Sequence, residues 1–397
     1  MDKKQGLREN WIQFSLLVLI NGFVGGMVGM ERTILPDIAE HEFNIAANSA
    51  ILSFIVVFGI TKAITNYFTG VLSDRYGRKA LLILGWIIAL PIPFILMYAS
   101  HWYGIVFSNI LLGINQGLAW SSTVVMKIDL VGKKDRGLAM GLNESAGYLA
   151  VGIAAFVTGY IASNFGLRPY PFFIGVGFSF LGLLLSLIFV KDTRQLVDAE
   201  KINTSQNVQK NIFWETTWKD RNLGSITQAG MVNNLNDGMV WGILPVILAS
   251  NGFNLLQIGK LVAVYPLVWG FGQLFMGKLS DHINKKVLLF WGMLIQGVAL
   301  LLMAYVHDFI HFAGLLCILG LGTAAVYPTF LAAISDHVHP VQRARSIGVF
   351  RLWRDLGYAI GALLTGFVAD ILNIEGSVIL IAGLTLLSSL IIKIRMN

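Results

Sequence analysis

The chain alternates long apolar runs with short polar connections along almost its whole length. Windows of about twenty mostly apolar residues are what an α-helix needs to cross the hydrocarbon core of a bilayer. Such windows lie at 12–36, 46–70, 80–99, 102–127, 138–163 and 171–190, and then at 223–249, 256–278, 286–306, 309–334, 346–370 and 376–395. The pattern predicts an all-α membrane protein with twelve transmembrane helices.

Composition agrees with a chain whose main solvent is lipid. Of 397 residues, 55% are hydrophobic and 13% are charged, whereas soluble domains carry about 25% charged residues. The net charge is +7, but the basic residues form short clusters between apolar runs and no continuous stripe, so we expect no nucleic-acid partner. Cys317 is the only cysteine, which excludes an intramolecular disulfide.

The distribution of Lys and Arg predicts the orientation in the membrane. Basic residues concentrate in both terminal tails, in the loops on one side and in the long polar stretch, while the opposite loops hold only Arg168 and Lys260. Because cytoplasmic loops carry an excess of Lys and Arg, both termini are predicted to be cytoplasmic. We expect a multi-pass protein of a bacterial or archaeal cytoplasmic membrane.

The two halves of the sequence look like copies of each other. We predict an N-terminal six-helix bundle over 1–190, a cytoplasmic linker over 191–222 and a C-terminal six-helix bundle over 223–397. A shift of 207 positions places Gly70 and Asp74 on Gly277 and Asp281, Asp129 on Asp336, and Arg136 on Arg343. Internal repeats of this kind are typical of transporters, and they predict two bundles related by an axis along the membrane normal.

The loop after the second window carries a distinctive motif. Residues 70–79 read Gly-Val-Leu-Ser-Asp-Arg-Tyr-Gly-Arg-Lys and fill every defining position of G-x-L-x-D-R-x-G-R-K. This motif resembles the signature of the major facilitator superfamily between helices 2 and 3. The second copy has His282 and Asn284 where the first has Arg75 and Gly77.

The resemblance implies a cytoplasmic gate between the two bundles, with helix 2 beside helix 11. Asp74 is expected to accept hydrogen bonds from the start of helix 11 near Arg345 when the cytoplasmic side is closed. The predicted gate residues are Gly70, Asp74, Arg75, Gly77, Arg78, Lys79, Asp129, Arg136, Asp281, Asp336, Arg343 and Arg345.

Two departures limit what the resemblance says about the substrate. Drug-proton antiporters of this superfamily usually have an arginine in helix 4, where this chain has Gly113. They also tend to have Gly-Pro in helix 5, where this chain continues from Gly141 to Leu142. Multidrug efflux is therefore not assigned by resemblance.

Charged and polar side chains inside the apolar windows predict a water-accessible interior, because each charge costs on the order of 3 kcal/mol at the bilayer centre. In helix 7, Asn233, Asn236 and Asp237 are spaced to share one face, and the resemblance directs helices 1, 4, 7 and 10 to the central cavity. The predicted substrate and proton cavity comprises Asn21, Glu31, Arg32, Asn115, Gln116, Trp120, Glu144, Asn233, Asn236, Asp237 and Tyr327. Ser121 of helix 4 is expected to add to this lining. Helix packing is the alternative role for each of these residues.

Three further expectations concern the charges. Glu31 and Arg32 are about 100° apart on a helix, so one is expected to face the cavity while the other reaches the outer interface. Arg32 either attracts an anion there or anchors the helix. A charge group between the bundles is predicted from Lys62, Arg351, Arg354 and Asp355, with Lys62 and Asp355 as ion-pair partners at similar depth; a lone Lys62 bonded to a carbonyl is the alternative.

These features predict a secondary active transporter that moves a small organic solute by alternating access, with protons carried on Glu144 and Asp237. Efflux in exchange for protons is favoured, and uptake symport, uniport and a transport-inactive sensor remain alternatives. The sequence has no P-loop, G-x-S-x-G or H-E-x-x-H motif, so it predicts neither ATP hydrolysis nor an enzyme. We expect no cofactor or metal, since the His307 and His311 pair lacks a third ligand, and we expect a monomer.

Overall fold

The structure is a computed structural model that describes residues 6–131, 136–193, 211–280, 283–338 and 340–397. Within this part of the chain the regular structure is entirely helical, with no strand. Every apolar window of the sequence coincides with a long helix. In order these are α1 (Trp11–Arg32), α2 (Ser53–Tyr76), α3 (Arg78–Tyr98), α4 (102–131), α5 (Arg136–Phe165), α6 (Phe173–Ile188), α7 (Arg221–Ser250), α8 (Leu255–Leu279), α9 (Lys285–Met303), α10 (Phe309–His337), α11 (Pro340–Ile371) and α12 (Ile374–Arg395).

Proline and a π turn interrupt several of these helices. Proline cannot donate the main-chain hydrogen bond of a helix interior, and α3 accordingly divides at Pro91. Pro245, Pro266 and Pro328 lie inside α7, α8 and α10. Helix α4 contains a π-helical turn over Gln116–Trp120, a feature that is frequent at functional sites.

Length and composition alone qualify eight helices of the described residues as membrane spans. The other four are α2, α4, α7 and α11, and each carries a buried charged side chain that lowers its mean hydropathy: Lys62, Lys127, Asp237 and Asp355 respectively. Charges of this kind are tolerated where a helix faces protein rather than lipid. The number of helices that cross the membrane therefore rests on the sequence prediction of twelve.

Both ends of the chain lie on the same face of the molecule, which we call the termini face. Asn10 donates to the main-chain oxygen of Leu130 at the end of α4 (3.3 Å), and Gln13 donates to that of Phe189 after α6 (2.8 Å). In the second half, the main-chain nitrogen of Asn397 donates to Asn222 at the start of α7 (2.9 Å). The other ends of the helices define the opposite face.

The two halves, α1–α6 and α7–α12, touch along α2 with α11 and along α5 with α8. Near the opposite face, a Cβ atom on Gly159 would lie 2.8 Å from the Cα of Gly259, so glycine is required for these helices to approach so closely. Asp370 at the end of α11 accepts hydrogen bonds from the main-chain nitrogens of Asn48 (2.7 Å) and Ser49 (3.0 Å) before α2. These contacts close the opposite face.

Candidate functional site

A narrow pocket lies between the two halves, on the termini side of the closed contacts. Helices α2, α4 and α5 contribute one wall, and α10 and α11 contribute the other. Its free space would hold about one water molecule, so this conformation encloses the site tightly. The lining residues are Lys62, Asn66, Trp120, Ser121, Glu144, Tyr148, Tyr327, Arg351 and Arg354.

Seven of these residues were predicted from the sequence, and Asn66 and Tyr148 were missed. Uncharged residues were sought only on the helices expected to face the cavity, and these two lie on α2 and α5. The walls also differ from the expectation that α1 and α7 face the cavity, because neither helix contributes to the lining. Helices α2, α5 and α11 do so instead.

The charges of α11 are held by a compact network. Arg354 donates from Nε (3.0 Å) and Nη2 (2.7 Å) to Asp355 Oδ1, and from Nη1 to the hydroxyl of Tyr327 (2.7 Å). The other carboxylate oxygen of Asp355 accepts from Asn66 of α2 (2.5 Å). Asp355 is fully buried. Its burial is tolerated because Arg354 matches its charge and both of its oxygens accept hydrogen bonds.

The predicted contact between Lys62 and Asp355 does not form in this conformation. Among the described residues, no carboxylate lies within 4.0 Å of Lys62, and its Nζ instead lies 4.7 Å from the ring centroid of Tyr358 and 5.5 Å from that of Phe58. Arg354, on the same helix as Asp355, is the ion-pair partner of Asp355. The hydrogen bond to Asp355 from α2 comes from Asn66 instead of Lys62. The sequence-based estimate of depth was too coarse to distinguish Lys62 from Asn66, one turn away.

Glu144 presents a partly unbonded carboxyl group at the pocket. Its Oε1 accepts from Trp120 Nε1 (3.0 Å) and Asn143 Nδ2 (2.9 Å), while its Oε2 is buried and has no hydrogen-bond partner. Beside it, the rings of Trp120 and Tyr148 lie 5.3 Å apart, and the hydroxyls of Tyr148 and Tyr327 lie 3.3 Å apart across the two halves.

Asp237 lies behind this lining, in the interior of the second half. It is fully buried and accepts a short hydrogen bond from the hydroxyl of Tyr265, which also lies 3.1 Å from Thr323 Oγ1. Its Oδ2 has no hydrogen-bond partner among the described residues. The ring of Tyr265 adjoins that of Trp269, which stacks on Tyr148 of the pocket.

The predicted single polar face of α7 is divided in the structure. Asn236 donates to Gln296 of α9 (3.1 Å) and accepts from Thr385 of α12 (2.7 Å), so it points away from Tyr265 and its partner Asp237. Adjacent helical positions differ by about 100°, which explains the division. Asn233 is buried, and its amide lies 3.5 Å from that of Asn234.

Three predicted cavity residues bond within the first half and do not line the pocket. Asn21 donates to the main-chain oxygen of Asn143 (2.7 Å), Asn115 to that of Gly85 (3.0 Å) and Gln116 to that of Val24 (2.8 Å). Each bond satisfies a buried main-chain oxygen of a neighbouring helix. The packing alternative accounts for them in this conformation.

Glu31 and Arg32 correct the expectation that one of them would reach the outer interface. Both are fully buried, and Arg32 Nη1 lies 3.3 Å from Glu31 Oε1, because the long arginine side chain folds back across the 100° between the two positions. Asn109 donates to Glu31 (3.1 Å). The guanidinium packs against aromatic rings of both halves, at 4.8 Å from Phe58 and 5.5 Å from Trp241.

Sequence reasoning overlooked one buried charge. Lys127 of α4 is fully buried and donates to the main-chain oxygen of Leu17 (3.0 Å). It was the last residue of its apolar window and therefore resembled a loop lysine. Helix α4 continues to Val131, and the apolar residues beyond Lys127 were the signal that could have revealed its burial.

On the termini face, two ion pairs reproduce the internal repeat. Arg78 Nε lies 2.6 Å from Asp129 Oδ2, and Lys285 Nζ lies 2.6 Å from Asp336 Oδ2. Both partners of the second pair are 207 positions after those of the first. Between α2 and α3, Gly77 has φ +93°, a conformation that favours glycine, while Lys79 donates to the main-chain oxygen of Leu187 (2.9 Å).

The structure describes only some of the remaining gate residues. Arg75 is exposed, and Arg345 is exposed within α11, which begins at Pro340 rather than at Arg345. Asp281 lies outside the described residues, as do the side chains of Asp74, Arg136 and Arg343, and Gly70 is described only as part of α2. The contact of Asp74 with the start of α11 stays a prediction.

Two helical halves that close around a charged pocket, with an ion pair repeated at the loops, are typical of membrane transporters built from an internal repeat. A family model, the Major Facilitator Superfamily, matches residues 15–234 and again residues 226–395, and the chain belongs to this family.

Its relatives include transporters of several kinds. The chain is 26% identical over 324 residues to the multidrug resistance protein MdtG of Proteus mirabilis, covering 79% of this chain and 78% of that one. It is 23% identical over 377 residues to the multi-drug resistance efflux pump PmrA of Streptococcus pneumoniae, covering 92% and 90%. The crystal structure of the nucleoside transporter NupG superposes with a TM-score of 0.79 at 12% identity over 97% and 100% of the two chains, a likeness of fold.

Proposed function

We propose that this protein carries a small organic solute across the cytoplasmic membrane by alternating access, coupled to protons and acting as a monomer. The observation that carries the proposal is the pocket at the junction of the two halves, to which Glu144 comes from one half and Arg351 and Arg354 come from the other. A site shared in this way changes its exposure when the halves rock against each other.

The packing around the pocket supports such a movement. The opposite face is closed by the glycine contact of α5 with α8 and by Asp370 with the residues just before α2. Separation of these contacts, with closure at the termini face, would expose the pocket to the other side. On the loop charge bias, the termini face is the cytoplasmic one.

Two carboxyl groups are suited to carry the coupling proton. Glu144 and Asp237 each have one buried oxygen that has no hydrogen-bond partner among the described residues, so each can take up a proton there without losing one of the bonds described above. Glu144 faces the solute directly, whereas Asp237 reaches the pocket through Tyr265, Trp269 and Tyr148. Asp355, with both oxygens bonded, is assigned a structural role instead.

The direction proposed is efflux in exchange for protons, since two relatives along most of the chain are named for multidrug resistance and efflux. Uptake symport and uniport use the same pocket and remain the alternatives. A sensor that binds a solute without moving it is the further alternative.

A two-stage experiment tests the proposal. Purified protein is first screened by thermal shift against metabolites and drugs, because a ligand that binds the native state raises its apparent stability. Each stabilising compound is then followed in proteoliposomes with and without an imposed pH gradient. Accumulation that requires the gradient supports proton-coupled transport; equilibration without accumulation indicates uniport; binding without any flux contradicts the transport function.

A further inference from the structure

The cations that line the pocket outnumber the acids that line it. Lys62, Arg351 and Arg354 are three lining cations, against the single lining carboxyl group of Glu144. Asp355 lies immediately behind the lining and is engaged by Arg354, and Asp237 also lies behind the lining, bonded to Tyr265. With these two counted, three carboxyl groups balance the three cations, so the pocket becomes positive when Glu144 or Asp237 carries a proton.

Two of these cations have no acidic partner. Among the described residues, neither Lys62 nor Arg351 has a carboxylate within 4.0 Å, and both lack a hydrogen bond. The Nε of Arg351 is also buried without a partner. Lys62 is buried and Arg351 is half-buried. An unpaired charge shielded from water is costly, so the two cations favour a negatively charged group as their partner.

Three of the five uncharged lining residues are aromatic, and they come from both halves. Trp120 and Tyr148 lie 5.3 Å apart, and Tyr148 and Tyr327 lie 5.9 Å apart in an edge-to-face arrangement. Flat aromatic walls provide large apolar contact with a defined geometry. They suit a planar, apolar body attached to a charged head.

We infer that the pocket, once the halves separate enough to admit a solute, selects an organic anion with an aromatic body, held by Arg351 and Lys62 at its charged end and by Trp120 and Tyr148 at its flat end. The inference rests on the proposed transport function. A lipophilic cation is the competing occupant, since aromatic rings and Glu144 also attract cations, but it would have to approach the two unpaired cations of the same pocket.

Three naphthalene probes of one shape test the charge preference: 2-naphthoate, 2-naphthamide and 2-naphthylmethylammonium. Each is titrated by intrinsic fluorescence against the full chain in detergent and followed as flux in proteoliposomes. We expect the wild type to bind 2-naphthoate at least about tenfold more tightly than the other two, the scale of one charge-assisted hydrogen bond.

Variants of Arg351 identify the site. We expect Arg351→Gln to weaken 2-naphthoate binding about tenfold or more and to leave 2-naphthamide binding little changed, while Arg351→Lys restores most of the anion preference. Arg221→Gln is the matched control, because Arg221 is exposed at the start of α7 and outside the pocket. The melting temperature of each variant without probe shows whether it is folded.

The possible outcomes separate the two proposals. Preference for the ammonium or the amide, no binding of 2-naphthoate, or an anion preference that survives in Arg351→Gln overturns the inference. If the amide or ammonium probe is nevertheless transported, the transport function stands without it. Conversely, Arg351-dependent binding of 2-naphthoate with no flux of any probe supports the anion site and contradicts the transport function.

Discussion

At the scale of single residues, the buried carboxyl groups are distinguished by how fully they are bonded. Asp237 keeps one oxygen free while the other accepts from Tyr265, whereas both oxygens of Asp355 are engaged by Arg354 and Asn66. A fully bonded carboxylate in contact with a cation stays charged, while a carboxyl group with a free oxygen can gain and lose a proton. This difference is the reason why we propose Asp237 for proton coupling and Asp355 for a structural role.

Asp237→Asn should therefore abolish proton-driven accumulation and leave solute counterflow intact. The amide keeps the shape of the side chain and can still accept from Tyr265, but it cannot carry the proton. The measurement is uptake into proteoliposomes with and without a pH gradient. Glu375→Gln, the same change at an exposed position, is the control, and full gradient-driven accumulation in Asp237→Asn would remove Asp237 from the coupling role.

At the scale of the helices, the two copies of the repeated ion pair should contribute differently to stability, because they differ in burial. The side chains of Arg78 and Asp129 are only 6% and 8% exposed, whereas those of Lys285 and Asp336 are 24% and 55% exposed. Breaking a buried pair leaves an uncompensated buried charge and costs about 3–5 kcal/mol. An exposed pair contributes only about 0–1 kcal/mol.

Asp129→Ala should consequently lower the free energy of unfolding by several times as much as Asp336→Ala. Asp129 also accepts from Thr193 (2.7 Å), which adds to its effect. Thermal or denaturant unfolding of both variants in one detergent measures the difference. Equal destabilisation would show that the two copies of the motif contribute alike despite their different burial.

The contact of α5 with α8 provides a second prediction for the helices. Gly159→Val should disfavour closure of the opposite face, because even a Cβ atom would lie 2.8 Å from the Cα of Gly259. The rate of thiol labelling of Thr33→Cys, whose native side chain is buried beside Gly159, should rise severalfold in a background lacking Cys317. Gly177→Val is the control, since a Cβ there meets no atom within 4 Å.

At the scale of the whole molecule, the distribution of basic residues predicts which face lies in the cytoplasm. Reporter fusions after Lys79 and Lys286 should report cytoplasm, and fusions near Arg168 and Asn251 should report the outside. Opposite signals at two or more of these sites would reverse the assignment of the termini face.

The charge of the solute should also affect the coupling mode. An anion and a proton held together in the pocket attract each other and favour movement in the same direction, whereas a neutral or cationic solute favours exchange. The proposed exchange of an anionic solute for protons therefore requires a coupling proton that binds away from the anion, at Asp237 behind the lining rather than at Glu144. Flux of the three naphthalene probes under pH gradients of either sign measures this. Exchange of 2-naphthoate for protons would show that its coupling proton binds away from the anion.

The sequence by itself determined the class of protein, the positions of the long helices, the internal repeat and seven of the nine lining residues. It did so because the length of an apolar run and the cost of a buried charge are local properties that lipid imposes on each segment. Gly77, Arg78 and Asp129 were likewise selected from one motif and its repeat.

Only the tertiary structure decided which polar groups meet. The choice between Lys62 and Asn66 as partner of Asp355, the division of Asn236 from Asp237, and the fold-back of Arg32 onto Glu31 each depend on helix rotation and side-chain reach. A rotation of 100° changes the neighbour of a residue without changing its hydropathy. The contacts of an intramembrane charge are therefore fixed by packing, whereas its presence inside the membrane can be read from the chain.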